Sequence, residues 1–191
     1  MAPDGGLSGL LLGYRGARPR LAPDVFVAPG AAVIGDVEVG SESSIWFGCV
    51  VRGDVCHVRI GARTNIQDHT VVHVTHTGIP TLIGDEVTVG HRCVLHACTI
   101  EDGAFIGMCA TVMDEAVVES GAMVAAGALV PPGKRVRRGE LWGGVPARCL
   151  RSLRAENRTV LIATHDEAIA STADLILEMS DGRIVASRQQ R

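Results

Sequence analysis

Three of the seven histidines in the 191-residue sequence, His73, His91 and His96, are spaced as metal ligands. Imidazole nitrogens are good donors to zinc, and a catalytic zinc takes three protein ligands and keeps a fourth position open. His73 and His96 each directly follow an aliphatic residue, Val72 and Leu95, inside a regular repeat, and Arg52 follows Val51 in the same way. His57, His69 and His165 have no such company, and His76 stands at a loop base where it could line the rim of a site.

The repeat that would position them has a period of six. Aliphatic residues stand at Val27, Val33, Val39, Ile45 and Val51, then at Ile60, Ile66 and Val72. They continue at Ile83, Val89 and Leu95, then at Ile100, Ile106, Val112, Val118, Val124 and Val130. Six fits neither a helix nor a plain strand. It is the signature of a hexapeptide β-helix, in which each hexad forms one flat face of a triangular coil and three hexads complete a turn. A small residue often follows the aliphatic one, as in Val39-Gly40, Ile60-Gly61, Val89-Gly90 and Ile106-Gly107. Two interruptions stand out: nine positions separate Val51 from Ile60, and eleven separate Val72 from Ile83.

Counting coils places the chemistry. With three residues removed from the first interruption and five from the second, Val51, Val72 and Leu95 fall on one face of successive coils. Arg52, His73 and His96 then form one column, with rungs about 4.8 Å apart. Two imidazoles on adjacent rungs can share an ion. His91 lies two positions after Val89, on a different face. The economical arrangement takes His73 and His96 from one chain and His91 from a neighbouring copy, three such sites forming around a threefold axis.

Composition agrees with a coil of small and branched side chains: 47% of the residues are hydrophobic, only 3% aromatic, and 23 are glycine. A formal net charge of −3 gives no electrostatic footprint for a nucleic acid. Six cysteines without CxxC spacing read as reduced, buried thiols of a cytoplasmic protein. The apolar run Leu10 to Leu12 is too short for a signal peptide or a membrane span. Residues 1–13 read as a leader, 14–151 as the β-helix and 152–191 as a tail without hexads. In the tail, the run from Thr159 reads as a strand, Glu167 to Asp174 as a short helix, and Leu175 to Val185 as strand–turn–strand.

Four motifs give the chain a specific resemblance from Tyr14 to Arg151. They are Val51-Arg52-Gly53-Asp54, Asn65-Ile66-Gln67-Asp68, Val72-His73, and Gly90-His91 with Leu95-His96. Together they resemble the gamma-class carbonic anhydrases. The resemblance implies an all-β fold, a left-handed parallel β-helix of hexapeptide repeats, here with a short atypical α/β C-terminal tail. It implies a homotrimer with zinc, or iron or cobalt, at subunit interfaces, bound by His73, His91 and His96. Metal-bound hydroxide would convert carbon dioxide reversibly to bicarbonate. Gln67 would orient hydroxide or substrate with Asn65 beside it, and Arg52 and Asp54 would pair across the interface, with Asp68 in the same polar network.

Two features depart from that pattern. Val55 stands where well-studied members carry a glutamate, and Val74 to Pro80 replaces a longer acidic loop with its proton-shuttling glutamate. His76 is the candidate shuttle in this loop, because an imidazole exchanges protons near neutral pH. Residues 158–185 resemble instead the C-terminal end of an ABC-transporter ATPase domain, with His165 in the place of its switch histidine. The chain has no GxxxxGK[ST] loop to cradle a nucleotide, so this tail is expected to be non-functional. Two other functions compete: a hexapeptide acyltransferase or metal-dependent thioesterase acting on coenzyme A esters, and a non-catalytic metal-binding assembly subunit.

Overall fold

In a computed structural model, the described residues are 9–76 and 78–153, together with the strand backbones of 175–180 and 183–189. The hexads form short strands that stack in parallel as a left-handed β-helix. The first face stacks Ala32–Gly35 of the strand Ala32–Val39, the first half of Val50–Ile60, then Val71–His73, Val94–His96, Thr111–Val112 and Leu129–Val130. The second stacks the other halves of the two long strands with Thr81–Ile83, Thr99–Ile100, Val117–Val118 and Arg135–Val136. The third runs from Phe26–Val27 through Ser44–Ile45, Asn65–Ile66, Thr88–Val89, Phe105–Ile106 and Met123–Val124 to Glu140–Gly144.

Strand alternation explains the core. Within each hexad the aliphatic residue and the residue two positions before it point inward. Val51 and Cys49, Leu95 and Cys93, and Ile106 and Ala104 are such pairs, all buried. A large and a small inward side chain alternate, which fills a narrow triangular prism. Cys49, Cys93 and Cys98 take the small position, and burial pushes the Cys93 thiol up to about 11 and the Cys98 thiol to about 12. Cys109 and Cys149 are exposed, so the expectation of buried thiols holds for only some of the set; all six cysteines are free.

Most corners carry a residue with positive φ three positions beyond the inward aliphatic. Gly48, His69, Arg92, Cys109 and Gly127 form one such column, with φ from 60 to 69°. The small residue directly after the aliphatic has a separate cause. A Cβ on Gly107 would sit 2.4 Å from the backbone nitrogen of Ala126 on the next coil. Gly107→Ala must therefore push neighbouring rungs apart. It is expected to cost about 1–3 kcal/mol, read as a lower melting temperature at unchanged protein concentration.

Both interruptions fall on the corner between the first and second faces. Between the pairs Gly35–Gly53 and Val37–Val58, Asp36 alone faces the four residues 54–57, an insertion of 4 − 1 = 3. One coil on, the second interruption lies between Val71–His73 and Thr81–Ile83, with Val74 still buried in the core. One boundary differs from the sequence expectation. Leu10–Leu12, in the expected leader, pairs in parallel with Ala32, Val33 and Ile34 as a first rung. The coil also continues past Pro131 and Pro132, through Val136 to Trp142, and is closed by the antiparallel strand Ala147–Ser152. The two prolines sit in a corner, where no ladder N–H is required.

The chain divides into two units, Met1–Leu153 and Arg154–Arg191. The second contains an antiparallel pair, Leu175–Ser180 with Arg183–Gln189. The expected strand from Thr159, the helix from Glu167 to Asp174, and His165 lie outside the described residues. Among the described residues no helix is long and apolar enough to cross a membrane.

Candidate metal centre

His73 and His96 are brought together. They pair directly in register on adjacent rungs of the first face, and their ring centroids are 5.3 Å apart. Two imidazoles on one tetrahedral zinc, each with Zn–N of roughly 2.0–2.1 Å, place their centroids about 5 Å apart. Arg52 lies one rung below His73, because Val51 pairs with Val72.

His91 is held elsewhere. Backbone bonds from His69 N to Phe47 O, Arg92 N to Asp68 O and Cys109 N to His91 O stack Phe47, Asp68, His91 and Met108 in one column. That column runs along the corner between the third and first faces. Among the described residues no three His, Cys, Asp or Glu side chains of one chain converge to hold an ion. Gln67 and Asn65 belong to this second group. They flank the inward Ile66 and share an outward side. Asn65 Oδ1 accepts from Ser44 Oγ at 3.4 Å, and Ser44 Oγ accepts from Trp46 Nε1 at 3.1 Å. The Gln67 side chain makes no hydrogen bond among the described residues.

Each histidine meets a carboxylate. His96 Nδ1 donates to Asp114 Oδ1 at 2.6 Å, and His91 Nδ1 lies 2.9 Å from Asp68 Oδ2. Metal-bound imidazoles characteristically give their second nitrogen to a carboxylate, which fixes the ring and leaves the other lone pair for the ion. On that test His91 and His96 fit a metal. His73 has the right position but presents Nε2 to Asp54 Oδ1, at 3.0 Å. Asp114 went unnoticed in the sequence. The only signal for it was an acid two positions after Val112, one coil beyond His96.

Within one chain Arg52 pairs with Asp54, because residues i and i+2 of one strand share a side. Asp68 pairs with His91 of the same chain. Partial burial works to raise the Asp54 carboxyl, but hydrogen bonds from His73 and Arg52 outweigh it and hold it below its ordinary range. His76 is exposed in the loop after His73, His69 is exposed at a corner, and neither joins a cluster.

Apolar side chains surround both groups. Phe47 is 43% exposed and Met108 53%, on either side of Asp68 and His91. Val71 and Val94, two positions before His73 and His96, are also exposed. Exposed apolar surface rimmed by polar groups marks a surface that another molecule covers.

No family model matches the chain. It is 58% identical over 143 residues to gamma carbonic anhydrase 2, mitochondrial, of Arabidopsis thaliana, a match covering 72% of this chain and 51% of that protein. It is 43% identical over 136 residues to the "Probable carbonic anhydrase" of Methanocaldococcus jannaschii, covering 71% of this chain and 85% of that one. The chain thus spans about half the length of the plant relative and most of the archaeal one. Among solved structures, a hexapeptide transferase family protein from Anaplasma phagocytophilum superposes with a TM-score of 0.74 at 50% identity, covering 77% of this chain and 86% of that one.

Proposed function

We propose, for a chain that belongs to the gamma carbonic anhydrase family, that it hydrates carbon dioxide reversibly to bicarbonate at metal sites shared between the subunits of a homotrimer. The observation that carries this reading is the register of His73 with His96, two imidazoles 5.3 Å apart on one face. His91 waits on another corner with its Nδ1 at a carboxylate. His73 and His96 of one copy and His91 of the next would hold zinc, with iron or cobalt as alternatives. When bound, the metal supplies Lewis acidity and a water that ionises near neutral pH.

The rest of the work falls to the chain. Asp114 and Asp68 fix the rings of His96 and His91. Gln67 and Asn65 arrive on the same copy as His91. Asn65 Oδ1 is taken by Ser44, so its amide N–H groups remain to donate to an oxygen of bicarbonate, and Gln67 orients the nucleophile beside it. Arg52, with Asp54 on one of its nitrogens, keeps further donors for a carboxylate-like product. His76, exposed in the loop beside His73, passes the released proton to solvent. Phe47, Met108, Val71 and Val94 are the surface that trimer formation covers. Six free cysteines suit a reducing compartment, and we assign the protein to the cytoplasm.

A coenzyme A-dependent acyl transfer is a second reading, favoured by the name of the superposed transferase. It needs one histidine as a base and no metal. Metal analysis of the purified trimer followed by stopped-flow carbon dioxide hydration separates these readings. Stoichiometric metal with a hydration rate well above that of His91→Ala is expected. A metal-free trimer would favour acyl transfer, and metal with equal rates in the two proteins would leave a non-catalytic assembly subunit.

A further inference from the structure

Asn65 and Gln67 stand over a second pair of side chains, one rung lower on the third face. Ser44 pairs in register with Asn65, and Ile45 with Ile66. Ser44 therefore lies one rung below Asn65, and Trp46 one rung below Gln67. The indole is held from two sides: the Phe26 ring centroid is 5.3 Å away and that of Phe47 is 6.3 Å away. Its Nε1 donates to Ser44 Oγ at 3.1 Å.

The first member of this chain of hydrogen bonds sets its direction. An indole N–H can only donate. Ser44 Oγ accepts it, and the hydroxyl's own proton goes on to Asn65 Oδ1 at 3.4 Å. With the amide turned over, Asn65 would aim an N–H at an oxygen that already accepts one, and the Ser44 O–H would lose this acceptor. Asn65 Oδ1 therefore faces Ser44, and Nδ2 with its two protons is directed away from it.

We propose that Trp46 and Ser44 are positioning residues that hold the Asn65 amide as a donor toward an oxyanion, which in this reaction is bicarbonate. The inference rests on the reading of the chain as a carbon dioxide hydratase. Neither residue takes part in the chemistry; both act through Asn65. Direction matters because an oxygen of bicarbonate accepts hydrogen bonds, whereas an amide free to rotate also presents its carbonyl oxygen, which repels the anion. An amide set in advance is not ordered anew at each binding event, and such ordering is worth roughly three- to tenfold in affinity. The effect belongs to bicarbonate binding, so it falls on KM and leaves kcat nearly unchanged.

The test follows bicarbonate dehydration by the zinc-loaded trimer in stopped flow. Ser44→Ala removes the link, and Trp46→Phe keeps an aromatic ring beside Phe26 and Phe47 but removes the N–H. Each is expected to raise the KM for bicarbonate roughly three- to tenfold, with zinc content and melting temperature held. Ser44→Thr keeps a hydroxyl and is expected to stay near the wild-type KM. Added to Asn65→Ala, Ser44→Ala is expected to raise KM no further, since the group it positions is gone. An unchanged KM in Ser44→Ala overturns the proposal, and so does an effect that persists in full in the Asn65→Ala background; in both cases dehydration by the wild type leaves the hydratase reading intact. If the wild type shows no turnover, that reading fails, and the 15N-labelled trimer titrated with bicarbonate decides the proposal by itself. Asn65 side-chain amide signals that move in the wild type and not in Ser44→Ala keep Trp46 and Ser44 as positioners of an anion-binding amide. Signals that do not move in the wild type overturn it.

Discussion

His91→Ala is expected to weaken zinc binding by roughly a hundredfold or more, although His91 stands on another corner of the prism from His73 and His96. Zinc sites built from histidine and cysteine bind with about 10–16 kcal/mol. Shared over three or four ligands, one lost imidazole costs on the order of 3 kcal/mol, roughly a hundredfold in affinity or more. The fold should barely notice. The His91 side chain is 47% exposed at a corner, and surface substitutions of this kind usually stay within about 0.5 kcal/mol. His91→Ala is therefore expected to unfold like EDTA-treated wild type while holding far less zinc and hydrating carbon dioxide far more slowly than the wild type. Elemental analysis of the gel-filtered trimer, with a denaturation curve on the same sample, checks both halves.

Leu95→Ala should produce the largest loss of stability. Leu95 is fully buried, pairs with Val72 below and Val112 above, and directly precedes His96. Leucine-to-alanine changes in such positions cost about 2–5 kcal/mol, because the cavity closes incompletely. At about 2–4 °C per kcal/mol for a chain of this size, the melting temperature falls by about 4–20 °C. The neighbouring coils are held on both sides and have little room to collapse into the gap. The same cavity frees the backbone of His96, so zinc binding weakens too. Melting EDTA-treated samples at one protein concentration separates the two effects, since bound metal and subunit association both add apparent stability. A shift below about 1 °C would mean that the prism interior repacks.

Much of the coil was legible in the sequence because an inward position repeats whatever the outward residues do. The six-residue period survived both interruptions, and subtracting three and five residues was enough to predict that His73 and His96 stack. The error came where the period is silent. Leu11 begins a coil, but Leu21 follows ten positions later rather than six, so the first rung read as a leader.

Within the site, columns could be counted and rotamers could not. Asp114 lies one position beyond the column of Arg52, His73 and His96, and only the turn of the His96 ring brings the two together. The contact of Arg52 with Asp54 within one chain follows from their spacing along a single strand. The engagement of His73 Nε2 by Asp54 depends on a side-chain torsion that no spacing encodes.

Metal counting in mixed trimers tests the shared site most directly. Chains carrying His91→Ala and chains carrying both His73→Ala and His96→Ala, each with its own tag, are co-expressed, and doubly tagged trimers are isolated. Each parent trimer should hold far less zinc than the wild type. In a mixed trimer of either composition, one interface joins intact His73 and His96 to an intact His91. The account predicts one zinc per mixed trimer, with a matching return of carbon dioxide hydration. Mixed trimers with no zinc, beside a fully loaded wild type, would show that no site is shared between copies.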